Sequence, residues 1–307
     1  MILCCGEALI DMVPITSGDG RTGFSPAAGG AIFNTAIALG RLGLGTGFLS
    51  GLSNDLFGQQ LVDVLREANV ETGLAMFSNR PTTLAFVRLD DGHATYTFYD
   101  ENTAGCMIQA ADLPDIPAAV KAMYFGGISL CPEPAGATYH ALMRQHSGDK
   151  VMMIDPNIRP SFVTDPAGYR ARIMDMVAMA DIVKLSDEDL NWLIEGEADI
   201  EAKMEQMRQT GPKLAILTKG SEGAVGLYAG GCVAVPAVKA VVKDTVGAGD
   251  TFNAGVLASL EQQGVLTKAG MAKLTDENVA QALAFGARVA AVTVSRDGAN
   301  PPWAHEL

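Results

Sequence analysis

The chain has 307 residues, 48% of them hydrophobic, with five cysteines, four histidines and a formal net charge of −13. That length can bury a large core, as one α/β domain with an appended subdomain or as two medium domains, and the acidic balance disfavours non-specific binding to nucleic acid or anionic lipid. No C-x-x-C pair and no H-E-x-x-H occurs, so neither a disulfide scaffold nor a zinc enzyme is expected and a reducing compartment fits.

Residues 2–5 are an apolar run ending in Gly6 and Glu7, the pattern of a buried strand that delivers its carboxyl end to a site. The first residues lack the basic flank and long apolar stretch of a secretory signal, and no stretch reads as a membrane span, so a cytoplasmic location is expected. Residues 28–42 form an alanine- and leucine-rich segment opened by Gly29 and Gly30 and closed by Gly43, a helix bounded by glycines. A strand at 46–49 and a helix at 57–67 follow, and this alternation favours a mostly parallel sheet covered on both faces.

Residues 83–89 and 94–99 break the rhythm. They are β-branched and aromatic segments joined through Asp90, Asp91, Gly92 and His93, the composition of a hairpin. With residues 11–23 they are expected to form a small sheet projecting from the main domain, although an ordinary antiparallel edge would have the same composition. Alternation around Leu84 and Phe86, and around Tyr96 and Phe98, leaves one face apolar, which must meet substrate, the main domain or a second subunit. Further strands are expected at 122–131, 151–154, 182–185 and 214–218, a late hairpin at 224–235, and helices at 169–180, 202–209, 249–262 and 277–290.

The most informative stretch runs from Asp244 to Gly255, Asp-Thr-Val-Gly-Ala-Gly-Asp-Thr-Phe-Asn-Ala-Gly. Gly247 and Gly249 permit a tight turn, and the spacing of Phe252, Val256 and Leu260 starts a helix there, whose free N–H groups would face an anion. Asp250 in that turn suits a base or an orienting group beside a phosphoryl, since a carboxylate is poorly suited to hold phosphate itself. The same residues also satisfy the simpler needs of a capped helix start. Phe252 stands where a dinucleotide fingerprint needs a small residue, and no G-K-[ST] occurs.

Gly29, Gly30 and Asn34, with Asp11, form a candidate sugar-recognition group, because glycines admit close approach while the amide and carboxylate match hydroxyls; a glycine pair at a helix start also serves plain turns. The loop Asp155-Pro156-Asn157-Ile158-Arg159 follows a strand, where α/β ligand sites gather, and Arg159 could hold hydroxyls or neutralise phosphoryl charge, or simply lie on a surface loop. Thr218, Gly220, Ser221 and Gly223 again follow a strand and suit a nucleotide phosphate or adenine edge, or a turn.

Together these motifs resemble the ribokinase-like, PfkB-type carbohydrate kinases, and within them the bacterial fructokinases: Gly6-Glu7-Ala8-Leu9-Ile10-Asp11, Gly29-Gly30-x-x-x-Asn34, Asp155-Pro156-Asn157-x-Arg159, Thr218-x-Gly220 and Asp244-Thr245-x-Gly247-Ala248-Gly249-Asp250-Thr251-Phe252. The resemblance implies a three-layer α/β sandwich with a central, mostly parallel sheet and a small β lid that often forms a homodimer contact. The main domain would comprise residues 1–10, 27–75 and 104–307, and the lid 11–26 and 76–103. It implies ATP with Mg²⁺, Asp250 as catalytic base, and an anion hole at Gly247, Ala248 and Gly249. Sugar contacts would come from Asp11, Gly29, Gly30, Asn34 and Arg159, with Arg88, Tyr96 and Phe98 from the lid. Lys184, Ser186, Thr218, Gly220, Ser221, Gly223 and Gly249 would meet the nucleotide. The family's Asn-x-x-Glu is replaced by Ser186 and Asp189, so Asp189 would reach Mg²⁺ only through water. Asp244 and Val246 correspond to a monovalent-cation site, K⁺ in kind.

Neutral fructose, phosphorylated at its 6-hydroxyl, is the expected substrate, because a deoxy acid sugar would leave polar partners unpaired and bring a carboxylate near Asp11. 2-Keto-3-deoxygluconate is the competing substrate, with Arg159 and Arg88 as contacts for its acid. A non-catalytic sugar-binding regulator is the competing class, against which the intact Gly-Ala-Gly-Asp turn speaks.

Overall fold

The computed structural model describes residues 1–90 and 93–307, and the side chains of these except 88–90 and 93–96. The chain opens with β1 (Ile2–Cys5), β2 (Leu9–Thr16), β3 (Thr22–Gly29), α1 (Ala31–Arg41), β4 (Thr46–Leu49), β5 (Gly51–Ser53) and α2 (Leu56–Glu67). It continues through β6 (Val70–Glu71), β7 (Met76–Ser78), β8 (Leu84–Asp90), β9 (His93–Tyr99), β10 (Ala122–Gly126), α3 (Ala135–His146), β11 (Val151–Asp155) and α4 (Pro166–Met179). The last part holds β12 (Ile182–Ser186), α5 (Asp187–Leu193), α6 (Ile200–Gln209), β13 (Leu214–Thr218), β14 (Ala224–Tyr228), β15 (Gly231–Val235), α7 (Ala248–Gln262), α8 (Lys268–Met271) and α9 (Asp276–Val294).

The main sheet has the order β15-β14-β13-β12-β11-β10-β1-β4-β6. Pairing is parallel from β13 through β6, and β14 and β15 extend it antiparallel. Its strands read as unbroken apolar runs because both faces are covered. Ile2 and Cys4 of β1 point into one core, together with α1, α2, α7 and α9 residues, whereas Leu3 and Cys5 point into the other, against α3 and α4. The chain winds from β1 to β4 and β6 on one side and from β10 outward on the other. The order therefore reverses between β1 and β10, the position at which open α/β sheets hold ligands beyond the strand carboxyl ends.

Four strands make a second sheet in the order β3-β2-β8-β9. Met76–Ser78 is not part of it and pairs instead with Gly51–Ser53. The hairpin register pairs Leu84 with Tyr99 and Ala85 with Phe98. Phe98 therefore lies on the opposite face from Leu84 and Phe86, so the expectation of a single apolar face built from both strands is corrected. The pleat alternates strictly, and a one-residue offset in register moves a whole set of side chains to the other face. Phe86 meets Phe24 and Tyr99 edge-to-face at 5.0 and 5.4 Å, while Phe98 shares a face with Ala85, Asp11 and Ala27.

Among the boundaries that differ from the sequence expectation, two lie beside the cleft. Gly29 closes β3 and α1 begins only at Ala31, because extended pairing holds residues 28 and 29 against β2. The strand expected to reach residue 131 stops at Gly126, where a single-turn helix at Gly127–Leu130 takes over. Among the described residues, no helix is long and apolar enough to cross a membrane.

Candidate active site

A cleft of about 690 Å³ opens at the switch point, within the usual range for small-molecule sites. Each major wall comes from the end of a core element: Glu7 after β1, Gly127 after β10, Asp155 at the end of β11, Lys184 in β12 and Gly247–Asp250 at the start of α7. Asp11 and Phe98 reach it from the second sheet.

Asp250 occupies the first turn of α7 and is buried. Gly247 caps the helix in the left-handed region, at φ 76°, which brings the chain round sharply before residue 248. Helix geometry leaves the first N–H groups without carbonyl partners four residues back. Ala248 donates to Thr245 O, so the N–H groups of Gly249 and Asp250 remain for a ligand in the cleft their residues line. One oxygen of the Asp250 carboxylate accepts from Asn34 Nδ2 at 2.9 Å, and its backbone carbonyl accepts from Thr35 Oγ1 at 3.0 Å.

Behind Asp250 lies a buried ion pair. Lys184 Nζ stands 3.0 Å from Asp155 Oδ2, and the same oxygen accepts from Asn253 Nδ2 at 2.7 Å. Asn253 Nδ2 also donates to the Tyr124 hydroxyl at 2.9 Å. Burial pulls the Lys184 ammonium down, yet the surrounding carboxylates, Asp155 foremost, outweigh it and hold its pKa above the ordinary lysine range. Nζ lies 3.3 Å from where a Cβ on Gly249 would stand, so the cation adjoins the glycine turn. Asp250 is pushed up to about 7, by burial first and then by Asp155 and Glu7, against the lowering effects of Asn34 and Lys184. Asp11 is pushed up to about 6 by burial.

A buried carboxylate of near-neutral proton affinity, set beside free helix N–H groups and a buried cation, is an arrangement for taking a proton next to a transferring anion. The pfkB family carbohydrate kinase profile matches residues 1–306. The chain belongs to that family. A protein named fructokinase from Rhizobium leguminosarum bv. trifolii is 51% identical over 278 residues, spanning 90% of this chain and 85% of the relative. A fructokinase with bound ATP from Xylella fastidiosa matches with a TM-score of 0.87 and 30% identity, over 97% of this chain and 93% of that one. A fructokinase from Vibrio cholerae O395, in a fructose-, ADP- and calcium-bound form, matches with a TM-score of 0.82 and 25% identity, over 97% and 94%. The ribokinase-like three-layer fold is thereby shown, and the protein is an ATP-dependent sugar kinase.

The pfkB-family cleft brings together most residues singled out in the sequence. Asp11, Gly30, Asn34, Phe98, Arg159, Lys184, Val246, Gly247, Ala248, Gly249 and Asp250 all line it. Gly29 stands behind Asp11, where a Cβ would come within 2.3 Å of Asp11 Oδ2. Arg159 is exposed, and its Nη1 donates to the carbonyls of Asn157 and Ile158. Arg88 and Tyr96 have side chains outside the described residues.

Ser186, Thr218, Gly220, Ser221 and Gly223 do not line this cleft. They sit at the carboxyl ends of β12 and β13, along the same sheet edge beyond Lys184, with Ser186 paired to Thr218. Ser186 and Asp189 form a capping box for α5, and the remaining oxygen of Asp189 accepts from Ile158 N at 2.8 Å. That carboxylate is occupied in holding the arginine loop. Asp244 accepts from Val246 N and Gly298 N, both at 3.0 Å, and so braces the glycine turn. Among the described residues, no three His, Cys, Asp or Glu side chains group as a metal site.

Sequence reasoning passed over Asn253, Tyr124 and Phe162 and gave Glu7 and Asp155 no role of their own. Asn253 lies one helical turn after Asp250, at the i+3 spacing that faces the same side, a usable signal. Phe162 had none, since its contact with Phe98, ring centroids 4.3 Å apart, joins distant segments.

Proposed function

We propose that this kinase is a fructokinase, transferring the γ-phosphoryl of ATP to the 6-hydroxyl of D-fructose with Asp250 as base. The observation that carries the reading is the buried Asp250 carboxylate, at about pKa 7, in the same helical turn as the open N–H groups. Asp250 takes the hydroxyl proton, the freed oxygen pair attacks the γ-phosphorus, and the bond to the β-phosphate oxygen breaks to release ADP. The Gly249 and Asp250 N–H groups and Lys184 face the charge that gathers on the phosphoryl oxygens.

Asp11, the Gly29–Gly30 backbone and Asn34 hold the sugar hydroxyls, with Arg159 at the rim. Mg²⁺ enters as part of MgATP, which suits an ion that keeps several waters and needs few protein ligands. The nucleotide extends from the glycine turn toward Ser186, Thr218, Gly220, Ser221 and Gly223, and the turn braced by Asp244, around Val246, is the place for a monovalent cation such as K⁺. The four-stranded sheet acts as the lid, closing through Phe98 on Phe162. Its outer aromatics, Phe24 at 47% exposure and Tyr99 at 62%, offer a face to a second copy.

The relative at 51% identity carries the name fructokinase, and the polar Asp11 and Asn34 side chains in the cleft suit a neutral polyol better than 2-keto-3-deoxygluconate, whose acid would add a second carboxylate beside Asp11. Measuring kcat/KM for both compounds with MgATP tests the assignment. Fructose is expected to win, with fructose 6-phosphate identified by phosphorus NMR; a higher value for the acid sugar would overturn the substrate and leave the phosphotransfer chemistry standing. Sedimentation tests the dimer, and a monomer at all practical concentrations would remove it.

A further inference from the structure

Glu7 belongs to the Gly-Glu-Ala-Leu-Ile-Asp motif, lines the cleft, and is buried, yet the phosphotransfer steps above make no use of it. Its Oε1 accepts from the backbone N–H of Ala31 at 2.9 Å, and its Oε2 from that of Ser129 at 3.3 Å. Ala31 is the first residue of α1. The cap residue of that helix is Gly30, which has no side chain to satisfy the exposed N–H groups, and the first turn of α1 contains no acidic residue. Glu7 therefore caps α1 from the turn after β1, setting a carboxyl group at the positive end of the helix.

The surrounding backbone is shaped to the Glu7 side chain. Gly30, at φ 112°, approaches so closely that a Cβ would lie 3.2 Å from Glu7 Cγ, and Gly127, at φ 65°, would put a Cβ 2.2 Å from Glu7 Oε1. Three segments thus converge on one carboxylate: the end of β1, the start of α1 and the turn after β10. The helix capped in this way carries Asn34, whose amide donates to Asp250.

We infer that Glu7 is a positioning residue: by capping α1 it fixes the Gly30 to Asn34 segment against the sugar and against Asp250. The inference rests on the sugar-kinase reading of this cleft. The charged and titratable groups facing Asp250 include Asp155 and Glu7, which raise its pKa, Lys184, which lowers it, and the Tyr124 phenol, itself pushed well up by burial; the Asn34 amide also lowers the Asp250 pKa. Around Glu7 itself, burial pushes up the thiols of Cys106 and Cys131 and the phenol of Tyr139, so these stay neutral in the working range. Burial pushes Glu7 up as well, against the lowering effect of its bonds to Ser129 and Ala31.

Two variants separate the parts. Glu7→Leu removes the cap, so KM for fructose should rise about tenfold or more, while KM for MgATP stays within about threefold, as expected for loss of a charge-assisted hydrogen bond on the sugar side. Glu7→Gln keeps an acceptor for Ala31 but removes the charge, so the acid limb of kcat/KM should move to lower pH, since Asp250 then loses its proton more readily. A folded Glu7→Leu with unchanged KM for fructose would overturn the inference. So would a Glu7→Gln whose acid limb stays in place or moves up, and this second arm decides the matter if the leucine variant does not fold. If the wild-type protein prefers another sugar, the same variants are read with that sugar, so the substrate assignment and the role of Glu7 fail separately.

Discussion

The floor and the roof of the cleft are built on different principles. In the floor, Asp155, Lys184, Asn253 and Asp250 are buried and held by hydrogen bonds from β10, β11, β12, α1 and α7. In the roof, β2, β3, β8 and β9 form one sheet with exposed Val13, Ile15, Phe24 and Tyr99, joined to the floor at its rim by the Phe98 to Phe162 contact. A preorganised floor keeps charges where a transition state needs them, while the roof is anchored in the main core through Ile10, Met12, Ala28 and Leu84 and carries its exposed residues on its outer part. On the proposal that the roof is the lid, substitutions in floor and roof should separate chemistry from access.

The largest effect should come from Asp250→Asn, which keeps shape but cannot take a proton. Turnover should fall by roughly 10²–10⁴-fold with sugar affinity largely kept, measured by steady-state rates and by sugar titration. Near-normal turnover would remove Asp250 as base. In the wild type, kcat/KM should fall as pH drops through about 7, where Asp250 gains its proton.

Next in size is Lys184→Met, which strands Asp155 without its cation. Breaking a buried pair in this way costs about 3–5 kcal/mol, so denaturant unfolding should show a large loss together with lower kcat. A stable, active variant would mean that the floor is less tightly organised than its geometry indicates.

Asp250→Asn should also reveal what the base costs the fold. Because its folded pKa is raised, the carboxylate favours folding most below its unfolded value near 4, and that contribution is lost as pH rises through about 7. At pH 8 the asparagine variant should therefore be the more stable, by up to about 4 kcal/mol, with the advantage shrinking toward pH 5. Thermal melts at the two pH values check the sign; an advantage larger at pH 5 would refute it.

The smallest effect belongs to the roof. Phe98→Ala and Phe162→Ala should each raise KM for the sugar a few-fold, with a coupling between them of about 0.5–1.5 kcal/mol in a double-mutant cycle. Global stability should move much less than with Lys184→Met. Equal losses would erase the distinction between floor and roof.

The sequence by itself determined the alternating α/β plan, the glycine turn with Asp250, the grouping of Asp11 with Asn34 that the cleft bears out, and the hairpin at 84–99. Each of these is encoded locally, in strand and helix periodicity, in glycine spacing and in the acid that follows the turn. Only the tertiary structure decided that Phe98 and Phe86 face opposite ways, since strand register is fixed by pairing and not by composition. It also decided that Asp189 caps α5 and accepts from Ile158 N, contacts that no spacing announces. The pairing of Asp155 with Lys184 and Asn253, and the cap that Glu7 gives to α1, join residues 24 to 98 positions apart. Such contacts arise because parallel strands set their carboxyl ends side by side after long crossovers, and that order in space is invisible to any local reading of the chain.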